Sequence, residues 1–226
     1  MTHAIGMLLF PGMTQLDLTA PFEVLHRIPG AQVHLLWKER VPVSGGPGFH
    51  LTPTDTLDEC PALTVLFVPG GFGQERLQKD DAVLGFLRER GKDARWVTSV
   101  CTGALVLGAA GLLEDHDATT HWAYVDRLAD YGARYRPGRV VVDRNRITAG
   151  GVTAGMDFAL TLAAELADER TARLIQLGLE YDPAPPFDSG HPSRAEPELV
   201  DQLRQLYFQR QRDTAKADAR TGTPRN

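Results

Sequence analysis

Short, wholly apolar runs alternate with stretches of helical period along most of this chain. Ile5-Gly6-Met7-Leu8-Leu9-Phe10 is such a run, stopped by Pro11-Gly12, and it predicts a buried strand over 5–10. Thr19, followed by Pro21 and Glu23, has the pattern of an N-cap with proline in the first turn. It predicts a helix over 19–27 that Pro29-Gly30 stops. A second strand follows over 32–37. Residues 41–53 hold Gly45-Gly46-Pro47-Gly48 between two short β-like pieces, the pattern of a hairpin flap. Val65-Leu66-Phe67-Val68 is a third strand, ended by Pro69-Gly70-Gly71-Phe72-Gly73. Over 82–90, Val83, Phe86 and Leu87 share one helical face. Trp96-Val97-Thr98-Ser99-Val100 is the next strand; Cys101 follows at once, and the small residues of 102–110 suit a helix.

The second half repeats the alternation less clearly. Helices are expected over 121–131, 153–167, 169–179 and 198–210, and strands over 139–143 and 146–149. Residues 182–192 carry four prolines and predict an irregular segment. Continuous apolar strands separated by helices imply a mostly parallel central sheet covered on both faces, hence a single doubly wound α/β domain over 1–211. Residues 212–226 are polar and read as a disordered C-terminal tail. Ligands of such sheets sit outside the carboxyl ends of the strands. That rule selects three places: 11–19, 69–73 and 101–103.

Composition narrows the function classes. The 226 residues are 42% hydrophobic and 23% charged, enough apolar material for a core without staples. Two cysteines, Cys60 and Cys101, cannot build a disulfide scaffold, and no Cys-x-x-Cys pair suggests a structural metal. Lysine and arginine number 24 against 29 acidic residues, a net charge of −5, which disfavours wrapping nucleic acid. The longest apolar run, 104–113, is far short of the roughly 20 residues that span a bilayer. The N-terminus lacks a basic n-region. These features predict a cytoplasmic protein whose thiols stay reduced and which binds neither nucleic acid nor membrane.

Cys101 ends a strand and begins a helix, with Gly103 two positions on, where a side chain would crowd a sharp turn. This is the logic of the nucleophile elbow, which lifts the nucleophile above the sheet. A helix N-terminus favours thiolate, the reactive form; a small buried hydrophobe would also suit the position. Gly70-Gly71 can turn N–H groups toward a neighbour and, with the N–H of Thr102, form an oxyanion hole, although paired glycines also make plain tight turns. Asp17 is either a carboxyl partner for the thiol or a helix-start residue. The histidines after the cysteine are His116, His121 and His191, and none carries a following His-x-Glu pattern. His121 either lines the pocket or starts a helix. Trp122, Val152 and Phe187 are pocket candidates that would equally suit a core, and Cys60 has no assigned role.

At this point the residues become recognisable. Val100-Cys101-Thr102-Gly103-Ala104, Val68-Pro69-Gly70-Gly71 and Asp17-Leu18-Thr19-Ala20-Pro21-Phe22-Glu23-Val24 resemble the DJ-1/PfpI superfamily, and within it the isonitrile hydratase branch. Ala118-Thr119-Thr120-His121-Trp122, Thr148-Ala149-Gly150-Gly151-Val152-Thr153-Ala154-Gly155 and Tyr181-Asp182-Pro183-Ala184-Pro185-Pro186-Phe187 extend the resemblance along nearly the whole chain. It implies a flavodoxin-like fold, a homodimer, no cofactor or metal, and hydration of a small isonitrile to an N-substituted formamide through a cysteine thioimidate. By position it makes Cys101 the nucleophile and Asp17 the acidic residue beside the thiol. Thr102 stands where protease-like relatives carry histidine, which argues against peptidase activity. Gly70, Gly71, His121, Trp122 and Val152 would bind the oxyanion or the substrate.

Three rivals remain. One is a glyoxalase or deglycase acting on a 2-oxoaldehyde with the same thiol and acid. Another is a cysteine redox sensor without turnover. The third is a transcriptional regulator, which needs a recognition helix in roughly another hundred residues.

Overall fold

The strands at the middle of the main sheet are rich in apolar residues, because a sheet covered on both faces leaves no solvent side for polar residues. In the computed structural model, which describes residues 2–221, the elements of the first half run β1 (His3–Leu8), α1 (Gln15–Leu25), β2 (Ala31–Trp37), β3 (Val43–Gly46), β4 (Phe49–Leu51), β5 (Asp55–Thr56), β6 (Val65–Val68), α2 (Gln74–Leu77), α3 (Asp81–Asp93), β7 (Trp96–Val100) and α4 (Gly103–Ala109). Then come β8 (Asp117–Ala118), a 3₁₀ helix (Trp122–Tyr131), β9 (Arg134–Tyr135), β10 (Val140–Asp143), β11 (Arg146–Ala149), α5 (Ala154–Leu166), α6 (Glu169–Gly178) and α7 (Pro197–Thr221).

The main sheet has the order β10-β11-β7-β6-β1-β2-β5. Every pairing in it is parallel except β10 with β11. From β1 the chain moves outward to β2 on one side, and from β6 it moves to β7 on the other. The strand order therefore reverses between β1 and β6, the position where doubly wound sheets bind ligands. The fold is the expected α/β class with a mostly parallel central sheet. The hairpin expected within 41–53 is present as β3 paired antiparallel with β4.

Every residue of β6 and β7 is buried. Helix α5 covers one face through Phe158, Ala159, Leu162 and Ala163, all fully buried. The Phe158 ring stacks on Phe67 of β6, with centroids 5.5 Å apart.

Three expectations change. Helix α1 begins at Gln15 behind Thr14, not at Thr19, so Asp17 lies in its first turn and Pro21 in its interior. Pro21 has no N–H for the Asp17 carbonyl four residues back. Burial of Leu18, Val24 and Leu25 holds the helix together across that gap. The segment 121–131 is helical but of the tighter 3₁₀ type. Contacts divide the chain after Tyr181 into two compact units. The second unit contains the proline-rich segment and α7, which continues past 210 to Thr221; residues 222–226 of the expected tail lie outside the described residues.

Phe158→Ala leaves a cavity under β6. It should cost about 3–5 kcal/mol in urea unfolding while leaving the helical circular dichroism of the folded protein unchanged. A loss below about 1 kcal/mol would show that α5 does not seal this face.

Candidate active site

Three segments meet outside the carboxyl ends of β1, β6 and β7: the first turn of α1 carries Asp17, the loop after β6 carries Gly70 and Gly71, and the turn after β7 carries Cys101 and Thr102. Cys101 has a φ of 56°, a left-handed backbone that few non-glycine residues adopt. Its N–H donates to the carbonyls of Ala149 and Gly150 at 3.0 and 2.9 Å, and its own carbonyl accepts the Thr120 hydroxyl at 2.8 Å. Gly103 permits the turn: a Cβ there would stand 2.1 Å from the Val68 carbonyl oxygen. The cysteine therefore occupies a strained strand-to-helix turn, held by surrounding hydrogen bonds.

Asp17 is fully buried. The Gly70 N–H donates to its Oδ2 at 3.0 Å. Its Oδ1 is buried with no hydrogen-bond partner among the described residues. Burial pushes the Asp17 carboxyl up to about 7, against the Cys101 and Gly70 hydrogen bonds that favour its ionised form. Burial also drives the Cys101 thiol well above its ordinary range, and the negative charge of Asp17 adds to the rise. The N–H groups of Thr102 and Val152 pull the other way by hydrogen-bonding the sulfur. At this sulfur, burial and the Asp17 charge thus act against the helix N-terminus, which favours thiolate.

Neither glycine N–H is available to an oxyanion. That of Gly70 is taken by Asp17 and that of Gly71 by Thr102 Oγ1, at 3.0 Å. Their function here is to seat those two side chains. A Cβ on Gly70 would lie 2.5 Å from the Thr102 nitrogen and 2.8 Å from Asp17 Oδ2, so no larger residue fits. The donors that do face the sulfur are Thr102 N–H and Val152 N–H; the sequence offers Val152 as an oxyanion- or substrate-binding candidate without marking its N–H. Nothing local marks it, because its backbone reaches Cys101 only through the packing of the 149–152 turn against the elbow.

His121 is buried beside this turn, and burial pushes its imidazole down to about 4. Its Nδ1 accepts the Ala123 N–H at 3.3 Å, which starts the 3₁₀ helix. The ring therefore carries its hydrogen on Nε2 and is neutral at pH 7. Trp122 lies against it with centroids 5.6 Å apart. His116 instead pairs with Asp143 at 3.2 Å, and His191 bonds Ser193 in the second unit. Phe187 also belongs to the second unit and is exposed. Cys60 is buried, with its thiol donating to the Pro61 carbonyl. Among the described residues no His, Cys, Asp and Glu cluster could hold a metal ion, and no helix is long and apolar enough to cross a membrane.

A doubly wound α/β sheet with a buried carboxyl beside a cysteine on a strand-to-helix elbow defines a class of cysteine-dependent folds rather than one chemistry. The DJ-1/PfpI family matches residues 3–165, and the chain belongs to that family. It is 56% identical over 204 residues to an isonitrile hydratase of Pseudomonas putida, with 90% of each chain covered. A solved structure of a ThiJ/PfpI family protein from Pseudomonas syringae superposes with a TM-score of 0.91 at 44% identity, covering 99% of this chain and 92% of that one. The HTH-type transcriptional regulator GbdR of Pseudomonas aeruginosa is 30% identical over 168 residues, but this chain spans only 46% of its length.

The raised Asp17 carboxyl has a consequence for stability. Its ordinary value is 3.8 and its folded value about 7. The folded state therefore binds the proton more tightly. The stability this contributes is fully present below 3.8 and is lost as pH rises through about 7. Asp17→Asn, which stays neutral, should gain in melting temperature relative to the parent between pH 4 and pH 8. A difference that stays constant over that range would mean the carboxyl is ionised throughout.

Proposed function

We propose that this protein hydrates a small isonitrile to an N-substituted formamide, with Cys101 as nucleophile and Asp17 as the shuttling acid and base. The observation that carries the reading is the buried Cys101–Asp17 pair: a thiol beside a carboxyl whose proton affinity is matched to neutral pH. The likeness to the Pseudomonas putida isonitrile hydratase supports the substrate class.

Asp17 takes the thiol proton as sulfur attacks the terminal carbon of R–NC, and gives that proton to the same carbon. The product is a thioimidate, R–N=CH–S–Cys101. The N–H groups of Thr102 and Val152 stabilise the sulfur while it is charged. Water then adds to the thioimidate carbon with Asp17 as base, and the proton passes to nitrogen. Collapse of the tetrahedral adduct breaks the C–S bond, releasing R–NH–CHO and restoring the thiol. Atoms and electrons balance with substrate and one water, with no net oxidation. Two covalent steps replace one difficult addition to a poorly electrophilic carbon.

Thr102, in place of a histidine, suits this scheme because no second base is required. Trp122, His121 and Val152 form the pocket wall in this reading. The homodimer, the cytoplasmic setting and the cofactor-free reaction implied by the resemblance belong to the same proposal.

The test is formamide production from a panel of alkyl and aryl isonitriles, run beside a methylglyoxal assay. Cys101→Ala should fall to background, and Asp17→Asn should lose about 10²–10⁴-fold in kcat with its fold intact. Full turnover by Cys101→Ala would remove the covalent route. Preference for methylglyoxal would favour the glyoxalase reading.

A further inference from the structure

Cys101 is clasped by one strap of chain. Thr120 binds its carbonyl, and the next residue, His121, lays its ring on Gly151. A Cβ on Gly151 would stand 2.6 Å from His121 Cδ2 and 3.3 Å from Nε2, so the ring fills the space a side chain would take. Gly151 sits in the turn that borders the cysteine, since Cys101 N–H donates to the carbonyls of Ala149 and Gly150. Val152 follows with a φ of 34°, a backbone that a β-branched residue keeps only when its surroundings hold it. The ring is itself fixed, by the Ala123 N–H on Nδ1 and by Trp122 and Tyr124 at centroid distances of 5.6 and 5.9 Å.

We infer that His121 is a positioning residue for the reacting thiol: its ring, with Cδ2 nearest Gly151, holds the 149–152 turn so that the Val152 N–H stays on the Cys101 sulfur. The effect is steric. Burial leaves the imidazole uncharged at neutral pH, and Asp17, from α1, is the titratable group that faces the thiol. The inference rests on Cys101 being the reacting thiol of the proposed hydration. Its readout, the ionisation of that thiol, needs no isonitrile.

The experiment is alkylation of Cys101 by iodoacetamide from pH 6 to pH 10 in the full chain, followed by mass spectrometry of the Cys101 peptide. Melting temperature is measured for each variant. His121→Ala should slow alkylation about tenfold or more at pH 8 and move the ionisation upward, as expected for losing a hydrogen bond to a charged sulfur. Gly151→Ala should do the same, because its Cβ displaces the ring. Added to His121→Ala it should change the rate less than about twofold, since the clash is gone. His121→Phe keeps a ring but not the Nδ1 acceptor, and should stay near the parent. His121→Asn keeps an acceptor but not the ring, and should follow His121→Ala. The reverse order of Phe and Asn would make His121 only a helix cap and overturn the inference. So would additive effects of His121→Ala and Gly151→Ala, which decide the matter alone if the Phe variant does not fold. Normal alkylation in all forms together with no isonitrile turnover would overturn both readings, whereas the expected alkylation pattern without turnover would overturn only the hydration.

Discussion

The hydrogen bond from the Gly70 N–H to Asp17 Oδ2 is the constraint on which the site depends. It joins the first turn of α1 to the loop after β6, residues 53 positions apart in the chain. It also holds a fully buried carboxyl. Burial raises this carboxyl to about 7 against the hydrogen bonds from Cys101 and the Gly70 N–H, so it changes its proton near neutral pH. Sulfur and carboxyl therefore compete for protons inside one desolvated space, and a proton moved from one to the other need not cross into solvent. That is the condition an acid that later acts as a base has to meet.

The neutral state of His121 sharpens this picture. A cysteine paired with imidazolium is a standing thiolate, ready for any accessible electrophile. Here the nearby imidazole is held down near 4 and has Nδ1 engaged with Ala123. It supplies no positive charge at neutral pH. In the proposed hydration the sulfur is activated when Asp17 takes its proton, and no standing imidazolium is needed. Thr102 contributes through its backbone to the sulfur, while its hydroxyl accepts the Gly71 N–H and fixes the neighbouring loop.

The parts of this arrangement that are local were legible in the sequence. An apolar run ending in Cys101-Thr102-Gly103 encodes an elbow because the strand, the turn and the need for a glycine all lie within a few residues. The longer strands were equally plain, since burial leaves mostly apolar sequence, whereas the two-residue strands β5, β8 and β9 have no apolar run to mark them. Helix α1 misled because Pro21 usually marks a first turn; its true start, one turn earlier, is set by tertiary burial of Leu18, Val24 and Leu25. The roles of Gly70 and Gly71 were misread for a related reason. Paired glycines advertise free N–H groups, and only the packed structure shows that Asp17 and Thr102 have already taken them. The acidity of Cys101 was the least legible property. The helix N-terminus is a local signal for thiolate, whereas burial and the Asp17 charge are sums over distant segments.

Two residues of the site, Cys101 and Val152, sit in left-handed backbone without being glycine. Conformations of that kind cost on the order of 1–3 kcal/mol each and persist only where the surroundings over-determine them. The surroundings here are strands β6 and β7, buried at every position, with α5 packed across them. The strained turns belong to the ends of the most rigid elements in the chain, so the core supplies the rigidity that the site uses. A sulfur held on such a turn cannot relax away from Asp17 or from the Val152 N–H without disturbing close-packed strands. The parallel sheet thus does more than place three segments at its switch point. It holds a thiol, a carboxyl and the N–H groups of Thr102 and Val152 together in a buried space beside a His121 that burial keeps uncharged at neutral pH.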